Sequence, residues 1–249
     1  MRIPIDTSRY DLNSKFDVLV GSETFPLHTA VFTERSEFFR AARKPEWLAG
    51  DPNKPVDLED EDAKVFNAYV NCVYFGPDAL QQDTDEIEDQ PENVQLVKKH
   101  ETCVALVRLY QLADKLQDPV TANMVIDEII RHSDVLEHVP RFTTISLVYS
   151  YTPANSPLRR LMCDCWVYEV SAGWIVDRKA TSRDPFGNLP HEFVEDVLLE
   201  FYSAKSKGRG QTLEAAFSGD PRANEGRDKC HYHQHDDKHP RCIPKPGSG

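Results

Sequence analysis

Asp17-Val18-Leu19-Val20-Gly21-Ser22-Glu23-Thr24-Phe25-Pro26-Leu27-His28 decides how the rest of the chain is read. Its first four residues are a short β-branched run that stops at a glycine, and an alternating pattern resumes from Thr24 to Leu27. Such a pattern predicts a β-hairpin closed by a tight turn at Gly21-Ser22-Glu23. Pro26 has no N–H to give, so its strand belongs near an edge or turns that nitrogen to the non-bonding side.

Outward from the hairpin, Thr29 to Thr33 reads as a short helix. Ser36 reads as the N-cap of a second, followed by Phe38, Phe39, Ala41 and Ala42. Lys44 to Pro55 contains Pro45, Pro52, Pro55 and Gly50 and is expected to be a loop. Val56-Asp57-Leu58 is long enough for one more strand. Asp60-Glu61-Asp62 then puts negative charge where a helix N-terminus favours it. Phe66, Tyr69, Val70, Val73 and Tyr74 follow at helical spacing, and Gly76-Pro77 ends that helix.

Residues 78–92 are expected to form an exposed acidic loop, since charge runs of this kind are solvated. A long helix is expected from Val94 to Leu116. Asp118-Pro119, an acid at the N-cap and a proline at the first helical position, starts another through Ile130. In the second half, Phe142 to Tyr151 is a candidate helix. Ser156-Pro157 opens one with Leu158, Leu161, Met162, Cys165 and Trp166 on one face. Leu189-Pro190 opens a third, with Val194, Val197, Leu198 and Phe201 as its apolar side. From about Ser203 the chain is polar and is expected to be a disordered tail.

The motifs Asp17-Val18-Leu19-Val20, Phe25-Pro26-Leu27-His28, Val31-Phe32 and Ser36-Glu37-Phe38-Phe39 occur in an order that resembles the BTB/POZ family. That family's pattern runs as an Asp-hydrophobic strand, Phe-x-hydrophobic-His, and Ser-x-Phe-Phe. Val56-Asp57-Leu58, then Phe66 to Gly76, and Leu106 to Leu116 ending Ala113-Asp114-Lys115-Leu116 continue the likeness. It covers roughly residues 12–132 and is closest to fungal single-BTB proteins. The fold it implies is α+β, a small β-sheet capping a helical cluster, followed here by an all-α extension over residues 133–202 and a tail over 203–249.

The function implied is protein contact: homodimerisation, transcription-associated regulation, or linking a target to a cullin ubiquitin-ligase scaffold. Asp17, Phe25, His28, Ser36 and Phe38 are then structural motif residues, with His28 hydrogen-bonded near Asp17. Phe32, Phe39 and the segment Met1 to Tyr10 would lie near a dimer surface. Cullin-binding relatives often carry a hydrophobic-x-Glu triplet after the Ser-x-Phe-Phe helix. Here Glu46-Trp47-Leu48-Ala49-Gly50 has the acid first. Trp47 and Leu48 serve a partner if they are exposed, since aromatic anchors dominate interface energies. The alternative is that Trp47 folds back on the core.

Totals narrow the classes further. A net charge of -12 disfavours binding of nucleic acid by the whole chain. The 40% hydrophobic and 28% charged content is globular, and no run approaches a membrane span. Met1 to Asp11 carries Arg2, Asp6, Arg9 and Asp11 and no apolar stretch of the kind a secretory leader needs. Four of the six cysteines sit in helix-periodic stretches, which suits a reducing compartment, cytosol or nucleus. Cys163 and Cys165 point about 200° apart on a helix, so packing is their expected role.

In the tail, Cys230, His233 or His235, His239 and Cys242 are zinc-type ligands, although their spacing matches no standard finger. The other reading is a His-rich tail with no cofactor. No phosphate-binding glycine loop, nucleophile elbow or paired catalytic carboxylates appear in the sequence. An enzyme, metal-dependent through the tail, is the remote alternative.

Overall fold

The computed structural model describes residues 11–48, 50–80, 90–136, 139–170, 173, 186–187, 189–206 and 229–235. The protein is mixed α+β. Strands β1 (Lys15–Val20) and β2 (Glu23–His28) pair antiparallel, with Phe16 opposite Leu27, Asp17 opposite Pro26 and Val18 opposite Phe25. Gly21 turns the hairpin at φ 55°, a conformation for which glycine has no Cβ penalty. Strand β3 (Val56–Asp57) lies parallel to β1 and gives the order β2-β1-β3. Pro26 therefore sits on an edge strand, as its missing N–H requires. On β1, Phe16, Val18 and Val20 are buried while Lys15 and Asp17 are exposed, the period-2 alternation of a sheet with one covered face.

Helices α1 (Thr29–Arg35) and α2 (Glu37–Ala42) follow directly. Ser36 caps α2 by accepting from the Phe39 N–H at 3.1 Å. Lys44 to Pro55 is not wholly a loop, because Pro45–Leu48 forms a one-turn helix, α3. Its proline supplies an N–H-free first position, where no intrahelical donor is needed. Helix α4 (Ala63–Phe75) starts at Asp62, whose carboxylate accepts from the Lys64 and Val65 N–H groups. Those bonds hold the Asp62 carboxyl below its usual range. Gly76 ends the helix at φ 68°, and a 3-10 turn covers Gly76–Ala79. Most of the acidic stretch, residues 81–89, lies outside the described residues.

Helix α5 (Glu92–Lys115) and helix α6 (Pro119–Leu136) come next. The end of α5 is a Schellman arrangement: the Asp118 N–H bonds the Ala113 carbonyl and the Gln117 N–H bonds the Asp114 carbonyl. The residue in the left-handed position is Gln117, at φ 52°. Val97, three residues on from Val94 in the helix, is exposed. The buried side of α5 is built from Cys103, Leu106, Val107, Leu109, Tyr110, Leu112, Ala113 and Leu116.

Two compact units result, one of Met1–Asp89 with Arg108–Glu128, the other of Gln90–Val107 with Ile129–Gly249. In the first, Phe16, Phe32, Phe39, Phe66 and Tyr69 form the core, linked ring to ring at centroid distances of 5.5 Å (Phe16–Phe39) and 6.0 Å (Phe32–Phe39). Phe32 and Phe39 are both fully buried, so neither can lie at a partner surface as expected. The bulk of two phenyl rings is better hidden than hydrated, at roughly 1.5–3 kcal/mol each.

The second unit contains α7 (Phe142–Tyr151), α8 (Pro157–Glu169) and α9 (His191–Ser206). Ile145, Val148, Leu158, Leu161, Met162, Cys165 and Trp166 are buried, and the Trp166 indole donates to the Pro140 carbonyl at 3.0 Å. Helix α9 forms where Leu189-Pro190 opens it, and its apolar side faces outward: Phe193 is buried, whereas Val194, Leu198 and Phe201 are exposed. Phe193 wins the core position because it meets Tyr149 and Trp166 edge-on, both at 5.3 Å. Of the stretch expected to be a disordered tail, residues 203–206 and 229–235 are described, and both have defined structure. Ser203–Ser206 ends α9, and Lys229–His231 is a 3-10 turn leading to Tyr232, which is 2% exposed. Tyr232 donates to Asp164 at 2.5 Å and Arg160 donates to the His231 carbonyl, which ties this segment to α8.

Candidate interaction site

The Ser-x-Phe-Phe motif acts inside the fold. Ser36 is fully buried, and while capping α2 it donates to the Leu116 carbonyl at 2.5 Å. One hydroxyl thus satisfies an orphan donor at one helix start and an orphan acceptor at another helix end. Beside it, the Glu37 N–H donates to the Gln117 carbonyl. Asp118 completes this junction and is fully buried. It accepts from the Thr121 N–H and hydroxyl at 2.9 and 2.8 Å, from Tyr69 at 3.1 Å, and from the Arg35 guanidinium at 3.2 Å. Burial and the Asp118 carboxylate push the Tyr69 phenol well above its ordinary value, so it stays a donor. Spacing pointed to Asp118 as a cap; Arg35 and Tyr69 carry no local signal.

His28 does not pair with Asp17, which faces outward across from Pro26. Its Nδ1 lies 2.7 Å from the Tyr74 hydroxyl, with the rings edge-on. Phe25 packs at 4.9 Å on Phe66, and Phe38 is half-buried against Phe39. All five motif residues thus lie on the hairpin or α2. The thiols of Cys72 and Cys103 are pushed up to about 12 by burial, which keeps them protonated and unreactive at neutral pH.

Helix α3 presents the clearest outward feature of the first unit. Trp47 is 65% exposed and Leu48 half-buried. The backbone beneath them is tied at both ends. Arg43 donates to the Lys54 and Pro52 carbonyls while its guanidinium covers the Phe16 ring at 5.3 Å. Within the segment the Asp51 N–H bonds the Leu48 carbonyl, and Lys54 Nζ reaches the Trp47 carbonyl at 3.4 Å. The backbone that carries the indole is therefore fixed by these bonds, which lowers the cost of ordering this segment on binding. Met1 to Tyr10 lies outside the described residues.

A second outward surface, on α9, escaped the sequence reading in part: Leu199 and Tyr202 are 71% and 64% exposed. Of the cysteine and histidine cluster, Cys230 is half-buried and His233 is buried, with its ring 5.9 Å from that of His235. His239 and Cys242 lie outside the described residues. Among the described residues no group of three or more His, Cys, Asp or Glu is placed to hold a metal ion. No helix among them is long and apolar enough to cross a membrane. Compared with protein-family models, with curated proteins and with solved structures, the chain finds no match.

Proposed function

We propose that this chain is a protein-interaction module of the cytosol or nucleus, resembling the BTB/POZ family, and works as an adaptor. The observation that carries the reading is Trp47, a largely exposed tryptophan on a turn of helix whose backbone is pinned. Exposing an indole costs hydrophobic free energy that the fold could have recovered, and anchors of this kind dominate binding energies. The ordered set of motif residues on the hairpin and α2 adds the family likeness, and with it a cullin scaffold as the first partner to try. Glu46, before Trp47 in place of a trailing acid, makes any such contact differ in detail from the relatives' triplet.

Calorimetric titration of the full chain with a cullin N-terminal domain tests this. The expected result is micromolar or tighter binding that Trp47→Ala weakens by more than about ten-fold, with the thermal midpoint unchanged. Binding that is indifferent to Trp47→Ala would remove the anchor, and no binding would remove the cullin adaptor.

A further inference from the structure

Residues 229–235 belong to the second unit and form a short, anchored segment on α8. Tyr232 is buried and donates to Asp164 at 2.5 Å, and Arg160 donates to the His231 carbonyl at 3.0 Å. On either side of this fixed point stand three side chains of metal-ligating type, Cys230, His233 and His235. The His233 N–H donates to the Cys230 carbonyl at 3.3 Å. A closure of that length brings side chains three residues apart to one side of the turn. The rings of His233 and His235 lie 5.9 Å apart, centre to centre. One atom here has no partner: His235 Nε2 is buried and makes no hydrogen bond. Leaving a buried polar atom unsatisfied is costly, and an ion that meets it removes the cost. A water in that place needs two to four polar partners, whereas the ring set beside His235 is a second imidazole.

We propose that His233, His235 and Cys230 together bind one zinc ion, which locks the docked segment in its turn. Thiolate and neutral imidazole are the donors zinc takes in a tetrahedron, while calcium and magnesium require oxygen. Zinc sits about 2.0–2.1 Å from an imidazole nitrogen, so two rings on one tetrahedral ion have centres roughly 5–6 Å apart. The observed pair already meets that spacing.

Among the described residues no three donors yet share one point, so binding draws the Cys230 sulfur toward the imidazole pair by side-chain rotation. Cys230 suits that role because it is half-buried, whereas Cys72, Cys103, Cys163 and Cys165 are buried. Its thiol proton passes to solvent as the sulfur–zinc bond forms. Three protein donors leave the fourth corner of the tetrahedron to water. Because Asp164 and Arg160 already hold the turn, little backbone has to be ordered when the ion enters.

The test is the metal content of the full chain, purified without a histidine tag from zinc-supplemented medium and dialysed against metal-free buffer. About one zinc per chain is expected. Cys230→Ser and His235→Ala each weaken zinc binding by at least about 100-fold, and His231→Ala, which lies between the donors but outside the set, binds as the parent does. Cobalt in place of zinc reads the donors directly: the parent shows a sulfur-to-cobalt charge-transfer band and Cys230→Ser lacks it. Removing zinc with a chelator lowers the thermal midpoint of the parent and not that of His235→Ala. The stoichiometry and the cobalt band of the parent need no variant to fold. Zinc well below one per chain, or a midpoint indifferent to the chelator, overturns the proposal. A charge-transfer band that survives Cys230→Ser, or a His231→Ala variant that loses zinc as fully as His235→Ala, overturns the donor set.

Discussion

Each unit holds a buried charge against a helix terminus, and these two charges have opposite signs. In the first unit Asp118 sits at the start of α6, where unpaired N–H groups and the positive end of the helix dipole favour an anion. In the second, Arg159 sits against the end of α7 and donates to the carbonyls of Tyr149 and Thr152 at 2.7 and 2.5 Å. It also reaches the Thr152 hydroxyl and lies over the Tyr149 ring at 4.4 Å. An anion at a helix start and a cation at a helix end solve the same problem, the four orphan groups every helix leaves. They differ in what their partners do when the charge is removed. Arg35 is only 19% exposed and loses its counter-ion, whereas Glu192 is 67% exposed and can return to water.

That difference ranks the expected effects of mutation. Asp118→Ala should be the most damaging, at about 3–4 kcal/mol of unfolding free energy by urea titration, because it strands a largely buried guanidinium and uncaps α6. Asp118→Asn keeps the cap and should cost clearly less. Arg159→Met keeps an apolar stem but loses the donors and the guanidinium over Tyr149, so roughly 2–3 kcal/mol is expected. Equal costs for Asp118→Ala and Arg159→Met would break the comparison.

The second unit also carries an acid-sensitive group that sharpens the contrast. Burial pushes the His132 imidazole down to about 4, and the charges of Arg131 and Lys99 act the same way. The unfolded chain takes up a proton at this site below its ordinary value near 6.5, while the folded chain does so only near 4. Stability from this group is therefore full above about 6.5 and is lost as the pH falls toward 4, on the order of 2 kcal/mol. His132→Leu should flatten that limb in urea titrations run across the range. The smallest effect concerns Gln117, whose left-handed backbone penalises any side chain. Gln117→Gly should stabilise the chain by about 0.5–1 kcal/mol, and a destabilisation would show that the Gln117 side chain contributes more than its conformation costs.

The elements set by local chemistry could be read in advance. The hairpin and its edge proline, the Ser36 and Asp118 caps, and the Gly76 stop each depend on residues within a few positions of one another. Pairings between distant residues could not: Arg35 and Tyr69 with Asp118, His28 with Tyr74, and Tyr232 with Asp164. Side-chain polarity alone does not say which partner a fold will bring. For the site, the sequence points to Trp47 but leaves its exposure open between two readings, whereas Phe32 and Phe39, expected near a surface, are fully buried. Helix α9 misled for a definite reason. Periodicity reports an apolar stripe, and the assumption that the stripe faces the core fails where tyrosine and arginine partners claim the acidic side instead.

The most direct test of the interaction role is light scattering on the full chain, alone and mixed with a cullin N-terminal domain. A mass above one chain in the free protein, or a stable complex in the mixture, is predicted. A well-folded single chain that gains no mass in either setting would contradict the account.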